Sequence, residues 1–173
     1  MRLITVLVAV AGVAGAIVPA LAAGPAYSPD DIVKFMVKAQ AVATARGVCV
    51  GTVQECAQMS KPEGFDMMVN FDLNSANLTS DAAVNLVQVG KALGDPRLKG
   101  AKFEVDGYTD ATGTVPYNDE LSQRRAASVA QFLTQQGVGA DRLVPKGLGE
   151  SSPRVANAFD PVNRRVEIRL SLQ

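Results

Sequence analysis

The chain has 173 residues, with 17 Lys and Arg against 17 Asp and Glu, no histidine, no tryptophan and two cysteines. This balance leaves no electrostatic footprint for nucleic acid or for an anionic bilayer. The missing histidine removes the commonest general base and the commonest metal ligand together.

Arg2, the charge-free apolar run Leu3 to Val18 and the small residues of Pro19-Ala20-Leu21-Ala22-Ala23 predict an export signal over residues 1–23, cut after Ala22 or Ala23. A membrane anchor is the competing reading, but the run is shorter than the roughly 20 residues a spanning helix needs. No cysteine stands at the junction, which argues against a lipid-anchored form. Removing 23 residues from 173 leaves about 150, with one cation fewer and a net charge near −1. That is enough for one domain with its own core and a short extension.

Ser28-Pro29-Asp30-Asp31 predicts a helix start, with a cap residue, proline at the first helical position and acids in the first turn. Ile32, Phe35, Met36, Ala39 and Ala43 then share one face, and Arg46-Gly47 marks the end. The polar side of this helix is not richly basic, so its stripe reads as a face docked on a main domain rather than on lipid. Cys49 and Cys56 follow. In an exported chain they predict a disulfide closing a short loop, worth about 2–3 kcal/mol. A metal site would need more ligands than two thiols. Lys61-Pro62-Glu63-Gly64 reads as a linker, which divides the mature chain into an extension, 24–65, and a domain, 66–173.

Within that domain the pattern alternates. Met67 to Asp72 predicts a strand. Leu78-Thr79-Ser80-Asp81 starts a helix with stripe Ala83, Leu86, Val87, Gly90 and Leu93, stopped by Gly94-Asp95-Pro96. Lys102 to Asp106 alternates with period two and predicts the next strand. A second helix is expected over Asn118–Gln136, with Leu121, Arg125, Val129, Phe132 and Leu133 along one side and Gly137 as its stop. Arg142 to Gly147 reads as a third strand. In a fourth, Val166, Ile168, Leu170 and Leu172 alternate with Arg165, Glu167, Arg169 and Ser171. The order β-α-β-α-β-β predicts an α/β (α+β) fold, a mixed sheet covered by helices.

Arg125 is the most unusual residue of this pattern. It lies four residues from both Leu121 and Val129 and shares their inward face, whereas Arg124 points about 100° away. A guanidinium there keeps its charge and requires a partner. Asp110, fifteen residues earlier, follows a strand and precedes the turn-rich Ala111-Thr112-Gly113. Two readings stand. The pair forms an internal salt bridge, with Asp110 also bonding to its own turn. Alternatively, the carboxylate takes a ligand ammonium while the guanidinium takes a ligand carboxylate through a two-pronged contact.

The segments Gly107-Tyr108-Thr109-Asp110 and Leu121-Ser122-Gln123-Arg124-Arg125-Ala126 resemble the OmpA-like peptidoglycan-binding domain. The likeness extends over Val69 to Leu172, through Phe71-Asp72-Leu73-Asn74-Ser75, Tyr117-Asn118, Gly147-Leu148-Gly149-Glu150 and Asn163-Arg164-Arg165-Val166-Glu167. It implies that Asp110 and Arg125 hold the free amino-acid centre of diaminopimelate in the wall's stem peptide, and that Asn118 and Leu121 touch the same ligand. Asn74 stands at a contact position where an acid is frequent in the family, which implies a neutral hydrogen bond here. Arg164, expected on the inward side of the last strand with Val166, borders the pocket or caps the core with a salt bridge. Two departures accompany the likeness. Tyr108 replaces a frequent histidine, and Ala156 to Val162 is a shortened segment without the family's extra Gly-Arg pair.

The resemblance implies a periplasmic chain, associated with the outer membrane or cell wall, that grips peptidoglycan non-covalently and needs no cofactor. It implies no nucleic-acid partner, and no transmembrane segment is expected in the mature chain. The alternative is a periplasmic protein–protein interaction module without wall binding, in which the extension docks another envelope protein. Acid pairs such as Asp106 with Asp110 could in principle serve a glycosidase, but nothing in their placement singles them out. About 43 residues lie between cleavage and the domain, too few for an eight-stranded barrel at roughly 9–11 residues per strand.

Overall fold

The computed structural model describes residues 27–45, 64–67, 69, 71 and 74–171. The expected export signal, the Cys49–Cys56 disulfide, the helix end at Arg46-Gly47 and most of the linker lie outside the described residues. The elements in chain order are α1 (Pro29–Ala45), β1 (Phe65–Met67), α2 (Ser80–Leu93), β2 (Phe103–Tyr108), α3 (Val115–Gln135), β3 (Leu143–Gly147) and β4 (Arg165–Leu170). The strands form one sheet in the order β1-β4-β2-β3. β2 and β3 run parallel, and β4 runs antiparallel to both β1 and β2. This is the expected mixed sheet with its β-α-β-α-β-β order, preceded by one further helix.

Local chemistry explains where the elements begin. Thr79 caps α2, its hydroxyl accepting from the Ala82 amide at 3.3 Å. α3 starts at Val115, three residues before the expected Asn118: Thr114 holds the cap position by its extended backbone, its carbonyl accepting from the Asn118 amide at 2.9 Å without a side-chain cap bond, and Pro116 occupies the first turn. β1 lies at Phe65–Met67 rather than over Met67 to Asp72. Phe65 pairs with Ile168, and its ring meets Tyr27 and Phe35 edge-on at 5.0 and 5.4 Å. Phe71 forms only an isolated bridge with Leu78.

The helices cover one face of the sheet. On that face β2 and β4 place Phe103 opposite Leu170, Val105 opposite Ile168 and Gly107 opposite Val166. The α1 stripe docks there as expected: Ile32 and Met36 are fully buried, Val33 nearly so, all in the same core as Leu86, Val89, Leu93 and Leu133. Contact with α1 on one side and α3 on the other widens the buried arc of α2. Ala82, Val89 and Ala92 are therefore buried, while Ala83 and Val87 are only half-buried.

The second face of the sheet carries charge. Register sets Asp106 opposite Glu167, a like-charged pair that is unfavourable alone. Arg169 bridges it, donating from Nη1 to Asp106 Oδ2 at 2.6 Å and from Nη2 to Glu167 Oε2 and the Tyr108 hydroxyl. Arg165 donates to Glu167 Oε1 at 2.6 Å and stacks 3.8 Å from the centroid of the Tyr108 ring. Burial raises the Glu167 carboxyl, but the hydrogen bonds from Arg169 and Arg165 outweigh it and leave its pKa below the ordinary 4.5.

Two tests follow from this packing. We propose residue 65 as the boundary of a unit that folds alone, so fragment 66–173 is expected to unfold cooperatively but to melt lower than residues 24–173. Within the longer chain, Met36→Ala should cost about 2–5 kcal/mol by urea denaturation. A fragment without a cooperative transition makes α1 an obligatory part of the fold. The second test is acid sensitivity. A carboxylate with a depressed folded-state pKa stabilises above its unfolded pKa, and that stability is lost as pH falls through the folded value. Thermal stability should therefore drop as pH falls below about 4.5, and Glu167→Gln should flatten that drop.

Candidate functional site

The site is built where α3 lies across the carboxyl ends of β2 and β3. A Cβ on Gly107 would stand 2.3 Å from the Ser122 carbonyl oxygen, and one on Gly147 would stand 2.5 Å from the Gln123 amide nitrogen. Only glycine lets the helix come this close. Ser122 Oγ accepts from the Gly149 amide at 2.9 Å, and the Thr109 amide donates to the Gly149 carbonyl at 2.9 Å. The helix, the end of β2 and the loop after β3 are thus locked together. Arg125, one turn beyond Leu121, is aimed into the space beside Thr109-Asp110.

Arg125 is only 5% exposed. Its Nε donates to the Ser75 carbonyl at 3.1 Å, and its guanidinium carbon stands 4.9 Å from the centroid of the Phe71 ring. Among the described residues no carboxylate forms an ion pair with it. Burial, and then the like charge of Arg164, lower its pKa, while Tyr117 and Asp110 act in the opposite direction. An arginine stays protonated under such shifts, so the cleft holds a buried cation whose Nη groups make no hydrogen bond among the described residues.

Asp110 is equally buried, 5% exposed. Its Oδ1 accepts from the Thr112 amide at 3.1 Å, the turn bond expected of an aspartate in this loop. Its Oδ2 accepts from Arg164 Nη1 at 2.6 Å. The internal bridge therefore joins Asp110 to Arg164 and not to Arg125. Arg164 also departs from the inward strand position expected for it. It follows the short 3₁₀ turn Pro161–Asn163, ahead of β4, and its side chain is 43% exposed. The fully buried Asn163 fixes that turn, accepting from the Arg154 amide at 2.7 Å and donating to the carbonyls of Asn157 and Ala158 at 2.9 and 3.2 Å. Asn163 thus ties together both ends of the shortened segment, which the Ala111 amide also holds by donating to the Ala158 carbonyl at 2.9 Å.

Asn118 is buried, with Nδ2 donating to the Asp110 carbonyl at 3.2 Å and to Glu150 Oε2 at 2.6 Å. Both amide hydrogens are engaged, so its main effect is to position the Asp110 loop, with only Oδ1 left for a ligand. Asn74 is exposed and adopts φ 53°, the left-handed region that asparagine tolerates better than most residues. Asn74, Asp110, Asn118, Leu121, Arg125 and Arg164 all line one cleft of about 80 Å³. Thr109, Thr112 and Tyr117 complete its wall and were missing from the expected set. The alternation of β2 carries the signal for Thr109: continued past Gly107, it puts that side chain on the helix side. Among the described residues no cluster of three or more His, Cys, Asp or Glu could hold a metal ion.

A small cleft with a buried cation and a buried carboxylate held on separate elements is the make-up of a binding domain. The pattern of the OmpA family matches residues 70–167, more than half of the chain, and the chain belongs to that family. It is 37% identical over 100 residues to Outer membrane protein A of Escherichia fergusonii, covering 58% of this chain and 41% of that one. The chain thus spans under half the length of that relative. Among solved structures, the peptidoglycan-associated lipoprotein of Burkholderia pseudomallei superposes with a TM-score of 0.54 at 28% identity, covering 60% of this chain and 88% of that one. The periplasmic domain of Helicobacter pylori MotB gives a TM-score of 0.54 at 26% identity, covering 63% and 80%.

The helix contact is the feature most open to test. Gly107→Ala would drive a methyl group into the Ser122 backbone carbonyl. The expected loss is about 1–3 kcal/mol of stability by denaturant titration, the range for an overpacked site. An unchanged midpoint would show that α3 can lift away from β2 at little cost.

Proposed function

We propose that this chain binds peptidoglycan non-covalently, through the diaminopimelate of the stem peptide, and that it does so without catalysing a reaction. One observation carries the reading: a buried Arg125, without a carboxylate partner among the described residues, shares a cleft with the buried Asp110. The guanidinium takes the ligand carboxylate in a two-pronged contact, and Asp110 takes the ammonium. Leu121 packs on the aliphatic stem, Asn118 holds the Asp110 loop, and Asn74 and Arg164 stand at the mouth. Each charge-assisted bond contributes about 1.5–3 kcal/mol. A stem peptide with lysine at the third position offers the amine but not the second carboxylate, and so loses the Arg125 half of the grip.

The cleft is small against the roughly 300–1,000 Å³ of sites that engulf a whole small molecule, which suits the end of a side chain better than an entire sugar. The relatives support the coarser part of the reading, association with the wall: one is named for its association with peptidoglycan, and another is a periplasmic domain. The chain is read as periplasmic and associated with the cell envelope. No helix of the described residues is long and apolar enough to cross a membrane.

Calorimetric titration with a diaminopimelate-containing muropeptide tests the reading. Wild type should bind in the micromolar range or weaker, at about −8 kcal/mol or less in magnitude. Asp110→Ala and Arg125→Ala should each abolish measurable binding while the fold persists. Equal binding of lysine-type or amidated stem peptides would show that Arg125 does not read the second carboxylate. If wild type binds neither muropeptide nor purified sacculi, an interaction module for another envelope protein becomes the better reading.

A further inference from the structure

The cleft contains one more polar group with no assigned role. Thr109 is 4% exposed and lines the cleft, yet its hydroxyl is buried with no hydrogen-bond partner among the described residues. Buried hydroxyls are almost always paired, because an unmade hydrogen bond away from water costs free energy. Its surroundings are ordered: the Thr109 amide is bonded to the Gly149 carbonyl, and the next amide but one, that of Ala111, to the Ala158 carbonyl at 2.9 Å. The backbone is satisfied on both sides of a side chain that is not.

The direction of this side chain follows from the strand. Val105 and Gly107 face α3, as Val105 opposite Ile168 and the contact of Gly107 with Ser122 require. Leu148 and Thr109 continue the pairing of the two chain segments beyond the strand ends, through Leu148 N to Gly107 O and Thr109 N to Gly149 O, both 2.9 Å. With the extended backbone maintained, a period of two places Thr109 on the α3 side, where Arg125 lies. Asp110, the next residue, is turned the other way and bonded to Arg164.

We propose that the Thr109 hydroxyl is a specificity-determining ligand contact that donates to the same ligand carboxylate that Arg125 holds. The inference rests on the reading of the cleft as a site for an amino-acid zwitterion. It adds a third point to the grip: guanidinium and hydroxyl on the carboxylate, Asp110 on the ammonium. Arg125 cannot bring all its donors to one carboxylate, since Nε is committed to the Ser75 carbonyl. The Thr109 hydroxyl, in the same cleft, supplies a further donor. The threonine methyl and hydroxyl are similar in size, so a turn about χ1 exchanges them without moving the backbone.

Three proteins and two probes decide the matter: wild type, Thr109→Val and Thr109→Ser, each titrated with a muramidase-released disaccharide tripeptide that ends in diaminopimelate and with the same tripeptide amidated at the diaminopimelate carboxyl. Valine keeps the shape and deletes the unpaired hydroxyl, so Thr109→Val should melt at or above the wild-type temperature. It should nevertheless bind at least about tenfold more weakly. Thr109→Ser, which keeps the hydroxyl, should bind within about threefold of wild type. The selectivity of wild type for the free over the amidated diaminopimelate carboxyl should shrink in the valine variant. Binding by Thr109→Val within threefold of wild type overturns the inference and leaves the assignment of the ligand intact. A valine variant that is destabilised as well as weak, or a serine variant as weak as the valine one, shows a packing role and overturns it too. No binding by wild type overturns the ligand assignment, and this inference with it.

Discussion

Everything in the cleft depends on how close α3 comes to β2. The helix rests on backbone, not on side chains, where Gly107 meets Ser122 and Gly147 meets Gln123. Ser122 fastens the contact, accepting from the Gly149 amide and donating to the Asp119 carbonyl at 2.8 Å. A helix standing one side chain farther out would leave Arg125 above an open, wet groove. The observed approach sinks the guanidinium until it is 5% exposed, over the Phe71 ring and against the Ser75 carbonyl. Depth matters because a charge-assisted bond gains strength as water is excluded, and the same exclusion makes an unpaired charge costly.

The opposite face of the sheet solves a related problem in the other direction. There Asp106, Glu167, Arg165 and Arg169 neutralise one another completely, with Tyr108 between the two arginines. Buried ion clusters of this kind add little net stability over a well-packed apolar layer. What they do supply is register, because a slip of β4 against β2 by one residue would break the pairing of Arg169 with Asp106 and expose the apolar face. Tyr108 thus anchors one side of the strand while its neighbours Gly107 and Thr109 face α3. The two faces of β2 divide the work between a charge-balanced cluster and a cleft in which Arg125 has no carboxylate partner among the described residues.

Much of this was legible in the sequence, and the misses have physical causes. The sheet, the three helices and the docking of α1 followed from periodicity, because amphipathic stripes report burial directly. The six expected cleft residues converge because Arg125 lies at an inward helical position and Asp110 at a strand end, both fixed by local geometry. β1 was misplaced because a three-residue edge strand is set by pairing with Ile168 and by its aromatic neighbours, which no local pattern encodes. Arg164 was assigned to the strand by alternation alone. The chain reaches β4 through a 3₁₀ turn anchored by Asn163, a tertiary contact invisible in the pattern. Alternation places Thr109 on the helix side, but only the assembled fold buries its hydroxyl without a partner among the described residues, which no local pattern encodes.

The Arg164–Asp110 bridge changes how binding in this cleft should be understood. Asp110 Oδ2 already accepts from a guanidinium at 2.6 Å, and Oδ1 from an amide at 3.1 Å. On the proposed reading, the ligand ammonium therefore does not meet a bare carboxylate. It must share Oδ2 with Arg164 and Oδ1 with the Thr112 amide, or displace the partly exposed Arg164 side chain into solvent. Either way, the gain on the ammonium side is the difference between two charge-assisted contacts and not the whole of one. Arg125 has no such resident partner among the described residues, so the carboxylate side of the ligand contributes its bond with less to offset. The cleft should accordingly owe its discrimination to the ligand's carboxylate and its modest affinity to the contested ammonium. Under the proposed wall binding, the polymer presents the same zwitterion at many sites, and rebinding among them would hold the protein without any single strong contact.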